Sequence, residues 1–147
     1  MAKIIVSACL LGENCRYDGG NCRNKKVIAY LKDKEFIAVC PEQMAGLSTP
    51  RLPCEVVADR VINIDGKDLT ADFDSAAAAV LAIAKKHQVK LAILKSESPS
   101  CGRDFIFDGS FTGRLVANHG VTANLLLNNN IRVISEKEIT KELKKQK

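Results

Sequence analysis

Four short apolar runs, separated by longer amphipathic segments, dominate the pattern of this chain of 147 residues. The runs are typical of buried strands and lie at residues 3–8, 36–40, 90–94 and 131–134. The amphipathic segments have helical spacing and lie around 24–32, 69–88, 121–129 and 136–145. Strands that alternate with helices favour parallel pairing. We therefore predict an α/β fold, a single three-layer Rossmann-like domain over residues 1–147 with a mostly parallel sheet.

Two further features lie outside this alternation. Residues 56–57 and 61–64 are apolar and mostly β-branched, so a small hairpin or an edge strand is expected there. Three long loops, rich in glycine, proline and polar residues, follow predicted strands at 10–20, 41–53 and 96–113. Since the carboxyl ends of parallel strands meet at one edge of a sheet, all three loops are expected at that edge.

Composition limits the partners of this chain. It has no run of about 18 apolar residues, so no membrane span is expected, and its first residues enter a strand without the apolar stretch of a signal peptide. Much of the net charge of +5 lies in lysines near the carboxyl terminus, which alternate with glutamates as on a solvated helix. Only 5% of the residues are aromatic, so a stacking surface for single-stranded nucleic acid is missing. We expect a cytoplasmic protein with neither a membrane nor a stable nucleic-acid partner.

Six cysteines carry most of the functional information, because a reducing compartment keeps thiols free for metal binding or catalysis. Three of them, Cys9, Cys40 and Cys101, stand at the end of a predicted strand or just beyond it. The sheet brings these thiols to one edge, where ligands bind in parallel α/β sheets. No Cys-x2-Cys pair is present and neither histidine is near a cysteine, so a structural zinc site is disfavoured. We predict a metal or iron–sulfur centre bound by these three cysteines.

The other three cysteines are interpreted differently. Cys15 lies in the first loop and is close enough in sequence to Cys9 to share its site. Cys22 and Cys54 are expected to be small buried hydrophobes, a common role of free cysteine. If a four-iron cluster has only three cysteine ligands, one iron lacks a protein ligand and can bind substrate as a Lewis acid.

Polar residues beside the cysteines are candidates for catalysis. Glu42 follows a stiff Cys-Pro step, so its carboxylate is either aimed at the site as a base or is a charge at a helix start. Ser98 lies in a tight turn beside the third cysteine and either holds water or substrate or bonds its own backbone. Arg51 either recognises an oxygen-rich substrate or pairs with a carboxylate. Lys95 is a candidate for electrostatic support, and Glu55 is expected to begin a strand rather than to act as a second base.

Five short motifs occur along the chain: SACLLG at 7–12, CRYDG at 15–19, CPE at 40–42, TPR at 49–51 and SPSCG at 98–102. With GR at 113–114 and GVTA at 120–123 they extend over essentially the whole chain. Together they resemble a family long catalogued as a domain of unknown function, which includes the thiouracil desulfidases. We expect no second domain of the kind that serves larger RNA substrates, and therefore a free thio-base or nucleoside as the small-molecule substrate.

The resemblance implies a 4Fe–4S cluster held by only three cysteines, and a sulfur-removing, hydrolytic reaction without net redox change. Sulfur of a thiocarbonyl leaves as hydrosulfide at the iron that lacks a protein ligand, and water supplies the oxygen that replaces it. The family's catalytic glutamate and serine correspond to Glu42 and Ser98, with Ser100 as the rival serine. The strand-end cysteines are the implied ligands, and Cys15, which also lies in a motif, is the alternative ligand or a thiol on the substrate side.

Two other functions use the same residues. A non-catalytic iron–sulfur or metal protein that carries or senses a cluster would share the thiols but release no sulfide. A metal-free enzyme with Cys9 or Cys101 as nucleophile would be colourless. It ranks last, because no histidine partner for such a thiol is evident.

Overall fold

The centre of the molecule is a sheet of four parallel strands. A computed structural model describes residues 3–145, so the ends of the predicted domain, residues 1–2 and 146–147, lie outside the described residues. In chain order the strands are β1 (Ile4–Ser7), β2 (Phe36–Val39), β3 (Cys54–Val57), β4 (Arg60–Asn63), β5 (Leu91–Leu94), β6 (Phe105–Phe107), β7 (Leu115–Ala117) and β8 (Arg132–Ser135). Strands β2, β1, β5 and β8 are hydrogen-bonded in that order, all parallel.

Helices cover both faces of this sheet. They are α1 (Lys25–Leu31), α2 (Pro41–Met44), α3 (Thr70–Lys86), α4 (Val121–Asn128) and α5 (Ile139–Lys145), with 3₁₀ turns at Ala8–Leu11 and Glu136–Glu138. Helices α1 and α5 contact each other on one face, and α3 and α4 contact each other on the opposite face. The four predicted strands and four predicted helices are found where the sequence placed them, except that the last helix begins as a 3₁₀ turn.

Alternation along the strands builds the two faces. In β1, Ile4 and Val6 belong to the core cluster beneath α1 and α5, whereas Ile5 belongs to the cluster beneath α3 and α4. Successive strand side chains point to opposite faces, and a parallel strand buried on both faces needs apolar residues at nearly every position. The predicted three-layer α/β fold class is confirmed.

Polar side chains set the starts of two helices. Asn24 Oδ1 accepts the N–H of Val27 at 3.1 Å and caps α1. Asp68 Oδ1 accepts the N–H of Thr70 at 2.9 Å at the start of α3. Thr70 Oγ1 in turn accepts the N–H of Val61 at 2.8 Å, which joins this helix to β4. The longest helix is therefore tied to a hairpin that borders the carboxyl edge.

Two antiparallel hairpins accompany the sheet. The small hairpin predicted around 56–64 is β3–β4, whereas β6–β7 was not predicted, and β6 lies inside the segment expected to be a loop at 96–113. The loop expected at 41–53 also begins with a helix, since Pro41 occupies the first position of α2, where a missing N–H costs nothing. Helix α2 is a single turn and β6 and β7 have three residues each, so periodicity does not reveal them.

The order of the strands places a ligand site. From β1 the chain crosses to β2 on one side, and from β5 it crosses to β8 on the other. The carboxyl ends of β1 and β5 therefore flank a topological switch point, where open α/β sheets bind ligands. No helix among residues 3–145 is long and apolar enough to cross a membrane.

Candidate active site

A cavity of about 400 Å³ opens at the carboxyl edge of the sheet. Residues that follow β1, β2 and β5 line it, together with residues of β3 and β6. All six cysteines face this cavity as free thiols: Cys9, Cys15, Cys22, Cys40, Cys54 and Cys101. The expected meeting of the strand-end cysteines at one edge is thus found, and their role as ligands stays a prediction.

Each strand-end cysteine is held by the element that follows its strand. Cys9 lies in the first 3₁₀ turn, where its carbonyl accepts the N–H of Cys22 at 2.9 Å. Cys40 is the residue before α2. Cys101 lies in the turn after β5, with its N–H donated to Ser98 Oγ at 2.9 Å. Cys9 and Cys101 are buried and Cys40 is half-buried, so the three thiols are presented by ordered backbone.

Burial and crowding raise the pKa of several of these thiols. Burial, and then the neighbouring thiols, raise the pKa of Cys9 above its usual range. Burial and the adjacent Cys40 raise the pKa of Cys15 to about 12. Burial also raises the pKa of Cys101 to about 11, although hydrogen bonds from two serines act against it. These three thiols are protonated at neutral pH unless a cationic centre compensates their charge.

Two serine hydroxyls contact the sulfur of Cys101. Ser7, the last residue of β1, donates from Oγ to Cys101 Sγ at 3.4 Å and accepts the N–H of Lys95 at 2.9 Å. Ser100 donates to the same sulfur at 3.6 Å. Donors of this kind favour the thiolate. Ser7 was not predicted as a site residue, and its only signal in the sequence was its place in the SACLLG motif.

The remaining thiols complete the wall of the cavity. Cys15 is buried, and its carbonyl accepts hydrogen bonds from Cys40 Sγ at 3.7 Å and from Arg51 Nη2 at 2.9 Å. Cys22 and Cys54 pack against core clusters, as expected of small hydrophobes. Both are only half-buried, however, and both also face the cavity. The expectation that they are merely core residues is therefore corrected.

Glu42 and Arg51 form a tight ion pair at the cavity. Their side chains are 16% and 8% exposed. Both Nε and Nη2 of Arg51 donate to one oxygen, Glu42 Oε2, with Nε at 2.9 Å. The other three donors bond the carbonyls of Cys15 and Ser48 and the hydroxyl of Thr49. Arg51 thus pairs with a carboxylate and has no donor left for substrate, while Glu42 Oε1 has no hydrogen-bond partner within residues 3–145.

Ser98 and Ser100 differ in exposure. Ser98 is half-buried, and its Oγ accepts the N–H groups of Ser100 at 3.1 Å and Cys101 at 2.9 Å. Ser100 is only 2% exposed, and the two hydroxyl oxygens lie 3.1 Å apart. Ser98 therefore bonds its own backbone and also faces the cavity, so both expected roles are compatible with its position.

The turn at 98–101 is fastened to the start of α4. The N–H groups of Thr122 and Ala123 both donate to the carbonyl of Ser100, at 2.8 and 3.1 Å. These N–H groups have no partner inside their own helix. A Cβ built on Gly120 would lie 2.6 Å from the Ser100 carbonyl carbon, so only glycine fits this contact. The GVTA motif therefore supports the turn that carries Cys101.

Lys95 follows β5 and also lines the cavity. Its Nζ lies 3.2 Å from Glu136 Oε2 and donates to the carbonyl of Ser96 at the same distance. Ser96 N–H donates to Glu136 as well, at 2.8 Å. The positive charge of Lys95, which was expected to give electrostatic support, is thus already paired with the carboxylate of Glu136.

An α/β protein in which free thiols and a clamped carboxylate face one cavity at the switch point has the design of an enzyme built on cysteine chemistry. The model of the 2-thiouracil desulfurase family matches residues 4–138. The chain therefore belongs to the 2-thiouracil desulfurase family. Both the resemblance noted from the motifs and the predicted class of enzyme are confirmed.

Two similar proteins agree with this assignment. "Uncharacterized protein YbbK" of Bacillus subtilis (strain 168) is 38% identical in an alignment that covers 92% of this chain and 97% of that protein. The solved structure of TudS, a 4Fe–4S-dependent thiouracil desulfidase, superposes with a TM-score of 0.90 at 39% identity. The match covers 96% of this chain and 95% of that one. The fold is thus shared with a solved relative over 96% of this chain.

Proposed function

We propose that this protein removes sulfur from thiouracil or a closely related thio-base and releases the oxygen analogue and hydrosulfide. Membership of the family and the likeness to TudS support this reaction. The observation that carries the proposal is that all six cysteines and the clamped carboxylate of Glu42 line one and the same cavity. The proposed substrate is a small thio-base, for which a cavity of about 400 Å³ has room.

The donor set of the cavity fits a 4Fe–4S cluster, the cofactor that TudS depends on. Within the described part of the chain, no three His, Cys, Asp or Glu side chains are grouped to hold one metal ion together. A four-iron cluster needs thiolates that are spread around it, because each binds a different iron. Cys9, Cys40 and Cys101, which follow three neighbouring strands, are the proposed ligands. Cys15 is the alternative, since it borders Cys40.

When bound through three cysteines, such a cluster supplies an iron that acts as a Lewis acid toward thiocarbonyl sulfur. Glu42 Oε1 accepts a proton from the water that attacks the ring carbon, because Arg51 occupies only Oε2. Ser98, rather than the buried Ser100, donates its hydroxyl proton to the thio-base substrate or to the attacking water. The balance is one C=S bond and one water converted to one C=O bond and hydrogen sulfide, which ionises to hydrosulfide, with no electron transferred.

Sulfide release from 2-thiouracil and 4-thiouracil by anaerobically purified, iron-reconstituted protein tests the proposal. The absorption spectrum near 400 nm is recorded on the same sample. Brown protein that releases sulfide is the expected result. Brown but inert protein would indicate a carrier or sensor of a cluster, and protein that stays colourless after reconstitution would contradict the cluster itself.

Six single Cys→Ser variants, assayed for bound iron, separate ligands from wall residues. The variants at Cys9, Cys40 and Cys101 are expected to lose the cluster, and the other three to retain it. If Cys15→Ser loses its iron and one of the variants at Cys9, Cys40 and Cys101 keeps it, Cys15 is the ligand in place of that cysteine.

Glu42→Ala is expected to stay brown and to lose turnover by at least about a hundredfold, the size of a general-base contribution. A colourless Glu42→Ala protein would count against the separation of cluster binding from catalysis.

A further inference from the structure

The β6–β7 hairpin contributes two aromatic residues to the cavity wall, one from the end of β6 and one from the turn. Phe107 and Phe111 both line the cavity, and Phe111 has a φ of 58°. A bulky residue is a genuine outlier in this left-handed region. Such a conformation persists only where the surrounding structure enforces it, and it is concentrated at functional sites. The strained backbone of Phe111 must therefore be held by neighbouring residues, and its place on the cavity wall suggests a function.

The cause is a buried carboxylate in the neighbouring hairpin. Glu55 of β3 is 8% exposed, and its Oε1 accepts the N–H groups of Gly109 at 2.9 Å and Phe111 at 3.1 Å. No Lys, Arg or His within residues 3–145 forms an ion pair with it. The turn also packs tightly on β3, since a Cβ on Gly109 would lie 2.4 Å from Val57 Cγ2. The carboxylate of Glu55 thus holds the backbone of this turn by hydrogen bonds.

We propose that the ring of Phe111 is the surface on which the planar ring of the thio-base stacks, and that Glu55 is the positioning residue that holds Phe111 there. This inference rests on the proposed function and deepens it. Bases stack on aromatic side chains because both have extended π-faces. A thio-base shares its thiocarbonyl and N–H groups with an aliphatic thioamide, whereas only the base has an extended flat π-face, so contact with that face discriminates between the two.

Steady-state kinetics of the reconstituted enzyme with 2-thiouracil test the stacking contact. Phe111→Leu is expected to raise KM about tenfold with the cluster absorbance unchanged, whereas Phe111→Tyr keeps KM within about threefold. Phe105→Leu is the matched control, because Phe105 lies on the same hairpin, is 54% exposed and does not line the cavity. Its KM should equal that of the wild type. An unchanged KM in Phe111→Leu overturns the inference.

The role of Glu55 is tested by two variants. Glu55→Ala removes the acceptor for both N–H groups and is expected to raise KM as much as Phe111→Leu does. Glu55→Gln retains a carbonyl oxygen that accepts the same two hydrogen bonds, so it should restore KM to near the wild-type value. If Glu55→Gln instead raises KM as much as Glu55→Ala does, the two hydrogen bonds do not explain the effect of Glu55, and the positioning role is wrong.

A measurement that needs no turnover completes the test. Phe111→Asn replaces the strained residue by one that tolerates positive φ, so thermal unfolding should occur at the wild-type temperature or above. Binding of uracil to the cluster-free protein, followed by saturation-transfer NMR, should nevertheless weaken at least about tenfold. Uracil binding equal to that of the wild type overturns the inference. If the wild type releases no sulfide from any thio-base, the proposed function fails and this inference fails with it.

Discussion

The guanidinium of Arg51 is directed entirely to protein atoms, and this decides which oxygen of Glu42 can meet a substrate. We predict that Arg51→Gln lowers kcat about a hundredfold, because a carboxylate released by even 1 Å loses its alignment with the reacting groups. KM and the cluster absorbance should stay unchanged. Arg51→Lys should recover only part of kcat, since an ammonium cannot reproduce the planar fork that donates twice to one oxygen. Single-turnover sulfide release measures both variants.

A double-variant cycle separates positioning from folding. Arg51→Gln leaves the carboxylate of Glu42, only 16% exposed, without its partner, which costs roughly 3 kcal/mol of unfolding free energy. Glu42→Gln/Arg51→Gln removes the charge as well and should recover most of that loss in urea unfolding, while turnover stays at least about a hundredfold below that of the wild type. If Arg51→Gln turns over at the wild-type rate, Arg51 has no part in positioning Glu42.

Helix α4 and the turn at 98–101 behave as one element, because the first N–H groups of the helix use the carbonyls of the turn as acceptors. Gly120 has a φ of −64°, so lack of space and not backbone conformation excludes a side chain there. We predict that Gly120→Ala destabilises the protein by about 1–3 kcal/mol, the usual range for overpacking. It should also reduce the iron bound, since Cys101 moves with the turn. Urea unfolding and iron analysis measure the two effects.

Gly20→Ala is the matched control for this prediction. A Cβ at Gly20 would approach only the exposed carboxylate of Asp18, at 3.1 Å, and this side chain can move aside. The control should lose little stability and keep its iron. Equal losses in the two variants would mean that any added methyl group in these loops disturbs the site, and that the contact between Gly120 and Ser100 has no special role.

The longest helix was predicted, whereas the two shortest strands and the contact that holds their turn were missed. The α3 helix, with 17 residues and a central alanine run, shows its period in the sequence, whereas β6 and β7 have three residues each. The clamp on their turn comes from Glu55, 54 residues away from Gly109. No local pattern encodes such a contact, so the sequence revealed Glu55 as a strand residue and not as part of the site.

At the scale of the whole molecule, topology explains why the strand-end cysteines could be predicted to meet. Cys9, Cys40 and Cys101 follow three strands that are neighbours in the order β2, β1, β5, and the rule for parallel sheets needs no side-chain detail. Cys22 and Cys54 reach the same cavity through a loop and a separate hairpin. Their approach depends on tertiary packing that a single sequence does not display.

The burial of so many thiols in one cavity makes the stability of the cluster-free protein depend on pH. An unfolded thiol ionises near 9.0, whereas the folded Cys15 ionises near 12 and Cys54 and Cys101 near 11. Between these values the unfolded chain binds fewer protons than the folded protein, so stability falls as pH rises. Each thiol contributes up to about 1.4 kcal/mol per pH unit. Stability should be level below pH 9 and should decline from there to about pH 12, as the folded Cys54 and Cys101 and then the folded Cys15 ionise.

Urea unfolding of the reduced, cluster-free protein at pH 8, 9, 10 and 11 measures this decline. Tyrosine and lysine ionise in the same range, so Cys15→Ser is compared at each pH to isolate the thiol contribution, and its decline should be shallower. In the cluster-loaded protein, the cysteines that bind iron should add nothing to the decline in stability, because thiolates bound to iron are already deprotonated. Parallel declines in all three samples would mean that the thiols are not desolvated in the folded state, and that the cavity is open to water around them.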